Sequence, residues 1–419
     1  MNIQFEPVSW ALNANLYEVN TRQYTVEGTF KAFMNEMPRL SEMGVKVLWF
    51  MPITPISVEK RLGTLGSYYA CSNYTAVNPE FGSVQDFRNI VKRAHELDMK
   101  VIIDWVANHT GYDHVWTRTN PGFYNRNAAG QFYDKNGWND VIDLNYYDHT
   151  MRRAMIACME FWIRECNIDG FRCDMAHLVP LDFWRQARIH LDKLKPLFWL
   201  GETEDIHYQG VFDCSYAWKW MHATESFMKG STNADELKNL LDEYIKKKLP
   251  KTSHLFFTSN HDENSWNGTE YEKYGAAAST FAVFSCTWDG LALTYSGQEM
   301  PNYKRLKFFE KDHIEWTGKY ELNDFYKTLF ELKSSFGNED PEIQLLHILG
   351  DRNVLAFVKK NSFKEIVVLL NFSNKEQWIN IDESIAKGKY KNVFTGKEET
   401  PSVDESMMEP WGYLVFEKI

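Results

Sequence analysis

The chain has 419 residues, of which 44% are hydrophobic, 25% charged and 15% aromatic, and its formal net charge is −11. At roughly 150 residues per domain this length allows two or three domains, or one large barrel with a small appendage, and the composition excludes a disordered polymer. An acidic chain without a Lys/Arg cluster argues against nucleic-acid or anionic-membrane partners, and no run approaches the about 18 apolar residues of a membrane span.

In chain order, Met1 to Pro7 shows no basic segment followed by an apolar run, so no secretory signal is visible. Asn13 to Val19 predicts a strand, Phe30 to Met43 a helix ending before Gly44, and Val45 to Phe50 a buried strand. Val84 to Asp98 predicts a helix with Phe87, Ile90, Val91 and Ala94 on one face, and Lys100 to Val106 the third strand. A glycine-bearing, loop-rich insert follows from Asn108 to Tyr147. The pattern then alternates: helix Met151 to Glu165, strand Ile168 to Cys173, helix Leu181 to Leu194, strand Leu197 to Gly201. Next come helix Asp235 to Lys248, strand Leu255 to Thr258 (counted as the sixth), helix Gly275 to Ser285, strand Leu291 to Tyr295 and a last helix from Leu322 to Ser335.

Short buried apolar runs alternating with helical periodicity mean a parallel sheet, and about eight such units in about 320 residues favour a closed (β/α)8 TIM barrel. After Asn338 the pattern is strands only, at Val354 to Lys359, Glu365 to Phe372, Glu376 to Ile381 and Gly412 to Glu417. The expected domains are a barrel over 1–339, with a small insert at 108–147, and a C-terminal all-β sandwich over 340–419. Cys71, Cys158, Cys166, Cys173, Cys214 and Cys286 form no CxxC pair and sit in apolar patterns. They read as reduced core thiols, which favours a reducing, cytoplasmic compartment, with secretion after removal of a signal as the alternative.

A parallel barrel works at the C-terminal ends of its strands. Strand three ends in Asp104-Trp105-Val106-Ala107-Asn108-His109 and strand four in Gly170-Phe171-Arg172-Cys173-Asp174. Strand five ends in Leu200-Gly201-Glu202 and strand six in Thr258-Ser259-Asn260-His261-Asp262. Three carboxylates, Asp174, Glu202 and Asp262, thus close three successive strands. Each alone reads as the N-cap of a following helix. Together they are like charges gathered at one mouth and joined by Arg172, His109 and His261, which catalysis explains and capping does not.

On these motifs the chain resembles the α-amylase family, glycoside hydrolase family 13. The four strand ends match the family's four conserved regions in order. Gly44 to Pro52, Ile142 to Asn145 and Gly297-Gln298-Glu299 match its accessory regions, so the resemblance spans about residues 13 to 419. It implies Asp174 as nucleophile, Glu202 as general acid/base and Asp262 as a third carboxylate gripping the reacting sugar ring. It implies Arg172 as the residue that orients the nucleophile, His109 and His261 as hydrogen-bonding partners of the ring, and Tyr69 as the aromatic on which the ring stacks. Arg172 is then expected to keep Asp174 ionised, while Glu202 is expected to be raised by its carboxylate neighbours and by closure of the site.

His177 and Leu178 stand where the family's amylases often carry Lys-His, which places His177 at a leaving-group subsite. The chemistry requires no cofactor. A structural calcium is the one metal the resemblance implies, with Asn108 and Asn145 as oxygen ligands. Trp116, Phe123, Tyr124, Tyr133 and Trp138 in the insert are subsite candidates, whereas Trp105, Trp162 and Trp199 read as core and His95 as structural. The implied activity is retaining hydrolysis of α-1,4 bonds in starch-like glucans or maltooligosaccharides, through a covalent glycosyl-aspartate. An α-glucosidase, cyclodextrin hydrolase or glucanotransferase of the same family is an alternative. A non-catalytic glucan-binding relative is an alternative of another class, disfavoured by the intact carboxylates.

Overall fold

The computed structural model describes residues 5–346, 348, 352–379, 388–399 and 406–419. Eight strands close a barrel in which each is hydrogen-bonded to its neighbours in chain order. They are β1 (Asn15–Val19), β2 (Val47–Phe50), β3 (Lys100–Trp105), β4 (Gly170–Cys173), β5 (Phe198–Gly201), β6 (Cys214–Tyr216), β7 (Ser253–Phe256) and β8 (Leu291–Tyr295). The pairing is parallel, with Ile102 opposite Gly170 and Cys173 opposite Gly201. Strands such as β2 (VLWF) and β5 (FWLG) are buried at every residue, as a parallel sheet covered by helices requires. The helix Val84–Glu96 starts at a capping box of Ser83 and Asp86 and buries Phe87, Ile90, Val91 and Ala94, the face its periodicity predicts.

Two expectations need correction. The strand β6 and the helix Trp218–Met228 after it were not predicted, because three residues with a buried serine at their centre carry no readable period. Counting β6 makes Ser253–Phe256 the seventh strand, so Asp174, Glu202 and Asp262 follow β4, β5 and β7 rather than three successive strands. The helix expected from Phe30 to Met43 is two, Phe30–Met34 and Met37–Glu42. Pro38 sits in the first turn of the second, the only helical position where its missing N–H costs nothing.

The residues pack as two compact units, one of residues up to 8, 17–216 and 304–316, the other of 9–16, 217–303 and 317–419. Within the first, the insert after β3 folds on an antiparallel ribbon of His109–Gly111 and Val141–Asp143. Within the second, Glu342–Leu345, Val354–Lys360, Glu365–Asn371, Tyr413–Lys418 and Tyr390–Asn392 form a five-stranded sheet in that order. A ribbon of Gln377–Ile379 and Ser406–Met408 contributes Ile379 and Met408 to the core of that sheet, with Val354, Val367 and Leu369. The strand expected over Glu376 to Ile381 is thus shorter, and positions 380 and 381 lie outside the described residues. All six cysteines are free thiols, five of them buried. Among the described residues no helix is long and apolar enough to cross a membrane.

Candidate active site

Alternation along β4 puts Arg172 and the following Asp174 on one face, and register sets Asp104 of β3 opposite Arg172. The guanidinium is wholly buried and gathers three carboxylates. Its Nη1 lies 2.9 Å from Asp104 Oδ1 and 2.9 Å from Asp174 Oδ1, and its Nη2 lies 2.8 Å from Glu202 Oε2. The Nη2 contact is a charge contact rather than an aligned hydrogen bond. Nε donates to Tyr216 Oη at 3.1 Å. Burial works against the Arg172 charge, but Asp104 and Glu202 outweigh it and hold the group protonated well above its usual range. One cation facing three carboxylates leaves this pocket with an excess of negative charge. Arg172 therefore does more than orient Asp174, because it ties Glu202 and Asp104 into the same cluster.

Tyr69 joins that cluster through its hydroxyl, which donates to Asp104 Oδ2 at 3.0 Å. Its ring lies nearly parallel to Phe308, with centroids 6.3 Å apart and planes at 13°, and the Arg172 guanidinium carbon is 5.9 Å from its centroid. This bond gives Tyr69 a contact beyond the stacking that the resemblance implies. The loop bearing Tyr69 is held to the 304–316 segment by Leu65 N–H donating to Phe309 O at 3.0 Å, and Glu310 accepts from Thr64 N–H at 3.1 Å.

His109 is buried, and burial lowers its pKa to about 4 despite the nearby Asp134 carboxylate. Its ring meets the edge of the half-exposed Trp138 at 5.3 Å. Of the other insert aromatics Tyr147 is exposed, but the subsite candidates among them are more enclosed than Trp138. Phe123 and Tyr124 are buried. The Tyr124 hydroxyl lies 3.0 Å from Thr110 Oγ1 and 3.1 Å from His114 Nδ1. Trp116 packs on Tyr74, His114 and Phe123. These rings are the insert's own core, and Tyr133 contributes its carbonyl to the Asp143 N–H. Trp105, Trp162 and Trp199 are core residues as expected, and His95 pairs with Asp169 at 2.7 Å.

Beyond Asp174 the chain turns through Met175 into a single 3-10 turn, Ala176–Leu178, that carries His177 exposed. Glu202 Oε2 accepts from the Met175 N–H at 2.7 Å. In the second unit, β7 runs on to Asn260, whose Oδ1 accepts from Glu263 N–H at 2.8 Å, and to a fully buried His261. His261 Nε2 is 3.3 Å from Asp262 Oδ2, and the Asp262 side chain is 40% exposed. The Gly297-Gln298-Glu299 motif braces the neighbouring strand, since Gln298 Oε1 accepts from Tyr295 N–H at 2.6 Å and its Nε2 donates to Thr258 Oγ1 at 3.0 Å.

The two residues expected to hold calcium make different contacts. Asn108 lines a cavity of about 450 Å³ and donates from Nδ2 to Asp143 Oδ1 at 3.3 Å. Asn145 Oδ1 instead accepts from Tyr147 N–H at 3.1 Å, an Asx turn before the helix His149–Cys166. Lys135 and Arg152 line the same cavity as Asn108 and Asp143. Among the described residues no group of three or more His, Cys, Asp or Glu side chains is placed to hold a metal. Calcium takes about six to eight oxygen ligands. The cavity carries the oxygen-bearing side chains of Asn108, Asn125, Asp143 and Asp182 beside the cations of Lys135 and Arg152, and no step below depends on a metal.

Sequence reasoning passed over Asp104, Tyr216, Met175 and Phe308. Asp104 lay within the strand-three motif and was legible there. The other three are set by tertiary position.

The sequence profile of the family described as "Alpha amylase, catalytic domain" matches residues 13–121 and 121–341. "Alpha-amylase 3" of Dictyoglomus thermophilum is 26% identical over 97% of this chain and 93% of its own length. "Alpha-amylase 2" of the same organism is 23% identical over 90% of this chain and 68% of its own. Among solved structures, a "noncanonic maltogenic alpha-amylase AmyB from Thermotoga neapolitana" superposes with a TM-score of 0.90 at 28% identity, covering 100% of both chains. The barrel, the carboxylates around Arg172 and a profile match over most of the chain agree: the chain belongs to the α-amylase family of glycoside hydrolases.

Proposed function

We propose that the protein hydrolyses α-1,4 bonds of maltooligosaccharides or starch-like glucans with retention of anomeric configuration. The observation that carries this reading is the single guanidinium contacting both Asp174 and Glu202. A retaining enzyme needs its two carboxyl groups about 5–5.5 Å apart, against about 6.5–9.5 Å for an inverting one, and a shared guanidinium favours the short spacing. Protonated Glu202 gives its proton to the glycosidic oxygen as the bond to the leaving sugar breaks. The Asp174 carboxylate forms a bond to the anomeric carbon. Glu202 then takes a proton from water, whose oxygen displaces Asp174 and restores the α-configuration.

The excess negative charge around Arg172 favours the positive charge that develops on the sugar ring. Neutral His109 can donate or accept a hydrogen bond to a ring hydroxyl. Asp262 and His261 at the end of β7 serve the same ring in this reading, and His177 faces the leaving group. Likeness to a structure titled maltogenic favours short maltooligosaccharides as products.

Incubation with maltoheptaose followed by chromatography tests the substrate, and proton NMR of fresh hydrolysate tests the stereochemistry. Initial release of the β-anomer excludes the covalent route. Asp174→Asn, Glu202→Gln and Asp262→Asn are each expected to cost about 10²–10⁴-fold or more in kcat with the fold intact by circular dichroism. Any of the three that retains a tenth of wild-type turnover loses its assigned role.

A further inference from the structure

Directly after Asp262 the chain enters a π-turn, Glu263–Asn267, in which the Glu263 carbonyl accepts from Gly268 N–H at 2.9 Å. Such turns are rare and recur at functional sites. Asp262, which opens this one, has a partly exposed side chain, whereas its neighbours His261 and Glu263 are buried. Glu263 is held through its backbone and its carboxylate alike. Its N–H donates to Asn260 Oδ1 at 2.8 Å, its Oε1 accepts from Asn267 Nδ2 at 2.9 Å, and its Oε2 meets Lys273 Nζ at 2.8 Å. The Lys273 side chain is itself only 5% exposed and also meets Glu225 Oε1, at 2.9 Å, on the helix Trp218–Met228.

Buried ions are a poor source of stability, since apolar side chains of similar volume often serve a fold as well or better. What these ions supply is position. The direction of the Asp262 side chain is set by its own N, Cα and C atoms, which lie in the two peptide planes on either side of it. The plane that follows contains both the N–H and the Cα of Glu263. Asn260 holds that N–H, and the clamped carboxylate restrains that Cα. We propose that Glu263 is a positioning residue, which, clamped by Lys273 and Asn267, fixes the backbone from which Asp262 projects. This rests on Asp262 gripping the reacting sugar ring. Glu225 shares the ammonium from a different helix, so it belongs to the ion cluster but not to the turn.

The test compares the two carboxylates that share Lys273. Glu263→Gln, Glu225→Gln and Asn267→Ala are assayed on maltoheptaose for kcat and KM, with melting temperature by circular dichroism and Asp262→Asn as reference. Glu263→Gln and Glu225→Gln each leave Lys273 one carboxylate, so similar losses of melting temperature are expected. Glu263→Gln either turns an amide N–H toward the ammonium or gives up the Asn267 bond, and is expected to lower kcat at least about tenfold. KM is expected to stay within about threefold, since a misplaced Asp262 acts on the transition state, and Glu225→Gln is expected to keep kcat within about threefold of wild type. A smaller drop in Glu263→Gln, or an equal drop in Glu225→Gln, overturns the proposal, because the cluster then serves stability alone. If either of these two does not fold, Asn267→Ala decides. Its side chain is exposed, so its melting temperature is expected to stay unchanged while kcat falls at least about threefold, and a smaller fall overturns the proposal. If Asp262→Asn keeps more than about a tenth of wild-type turnover, the assignment of Asp262 fails first and the proposal falls with it.

Discussion

Removing the Tyr69 hydroxyl separates what its ring does from what its oxygen does. That oxygen donates to Asp104, which in turn holds the Arg172 guanidinium that meets Asp174 and Glu202. A hydrogen bond to a charged group is worth about 1.5–3 kcal/mol. Tyr69→Phe is therefore expected to lower kcat/KM at least about tenfold on maltoheptaose, and Tyr69→Ala to lower it further through lost ring area. A Phe variant equal to wild type would return Tyr69 to a purely stacking role. The four strand-end motifs make Asp174, Glu202, Arg172 and Asp262 legible in the amino-acid order itself, since alternation and strand ends are local properties. The partners of the Tyr69 hydroxyl and of the Met175 amide are not legible there, because Tyr69 and Asp104 are 35 residues apart and Met175 and Glu202 27 apart.

At the scale of elements, β4 depends on the absence of a side chain at Gly170. A Cβ there would lie 2.1 Å from the Phe198 carbonyl oxygen of the neighbouring strand, a backbone atom that cannot move without opening the β4–β5 pairing. Gly170→Ala is expected to cost about 1–3 kcal/mol or more, seen as a lower melting temperature, with kcat falling as well because the same strand carries Arg172. An unchanged melting temperature would mean that the two strands separate without penalty. Long amphipathic helices such as Val84–Glu96 were readable because several buried positions repeat one period. The strands at Cys214–Tyr216, Glu342–Leu345, Tyr390–Asn392 and Ser406–Met408 were not, since three or four residues with polar members are made strands by their neighbours.

For the whole molecule, buried histidines set a pH dependence of stability. Burial lowers His109 and His254 to about 4 and His114 to about 3. For His114 the geometry agrees, as its Nδ1 accepts from Trp116 N–H at 3.1 Å and so carries no proton. In the unfolded chain each takes up a proton near pH 6.5, so between about 6.5 and 4 the unfolded state binds more protons. The stability they confer is complete above about pH 6.5 and is lost as pH falls toward 4, by up to about 1.4 kcal/mol per pH unit for each group.

Buried carboxyls act in the opposite sense, Asp213 and Asp143 among them. Asp213 is pushed up to about 6 by burial, and Asp143 is raised by burial and by the neighbouring Asp134 carboxyl. Their contribution is present at low pH and is lost as pH rises toward 6, so it offsets part of the histidine effect. The expected outcome is a melting temperature that falls from pH 7 to pH 5, with a shallower slope in His114→Gln whatever its absolute stability. A variant with the wild-type slope would show that His114 takes no part.

The chain alone determined the barrel class, the C-terminal strand domain and the residue types at the strand ends, because periodicity, segment length and motif order are written within short windows. It did not determine which segment supplies the sixth strand, that Asn145 closes a turn, or that the insert's rings pack on one another. Those outcomes depend on which segments become neighbours, and close packing decides that only when the whole chain is in place. The cluster of Asp104, Asp174 and Glu202 on one guanidinium is of this kind: its residue types are local, but its shared charge exists only where β3, β4 and β5 lie side by side.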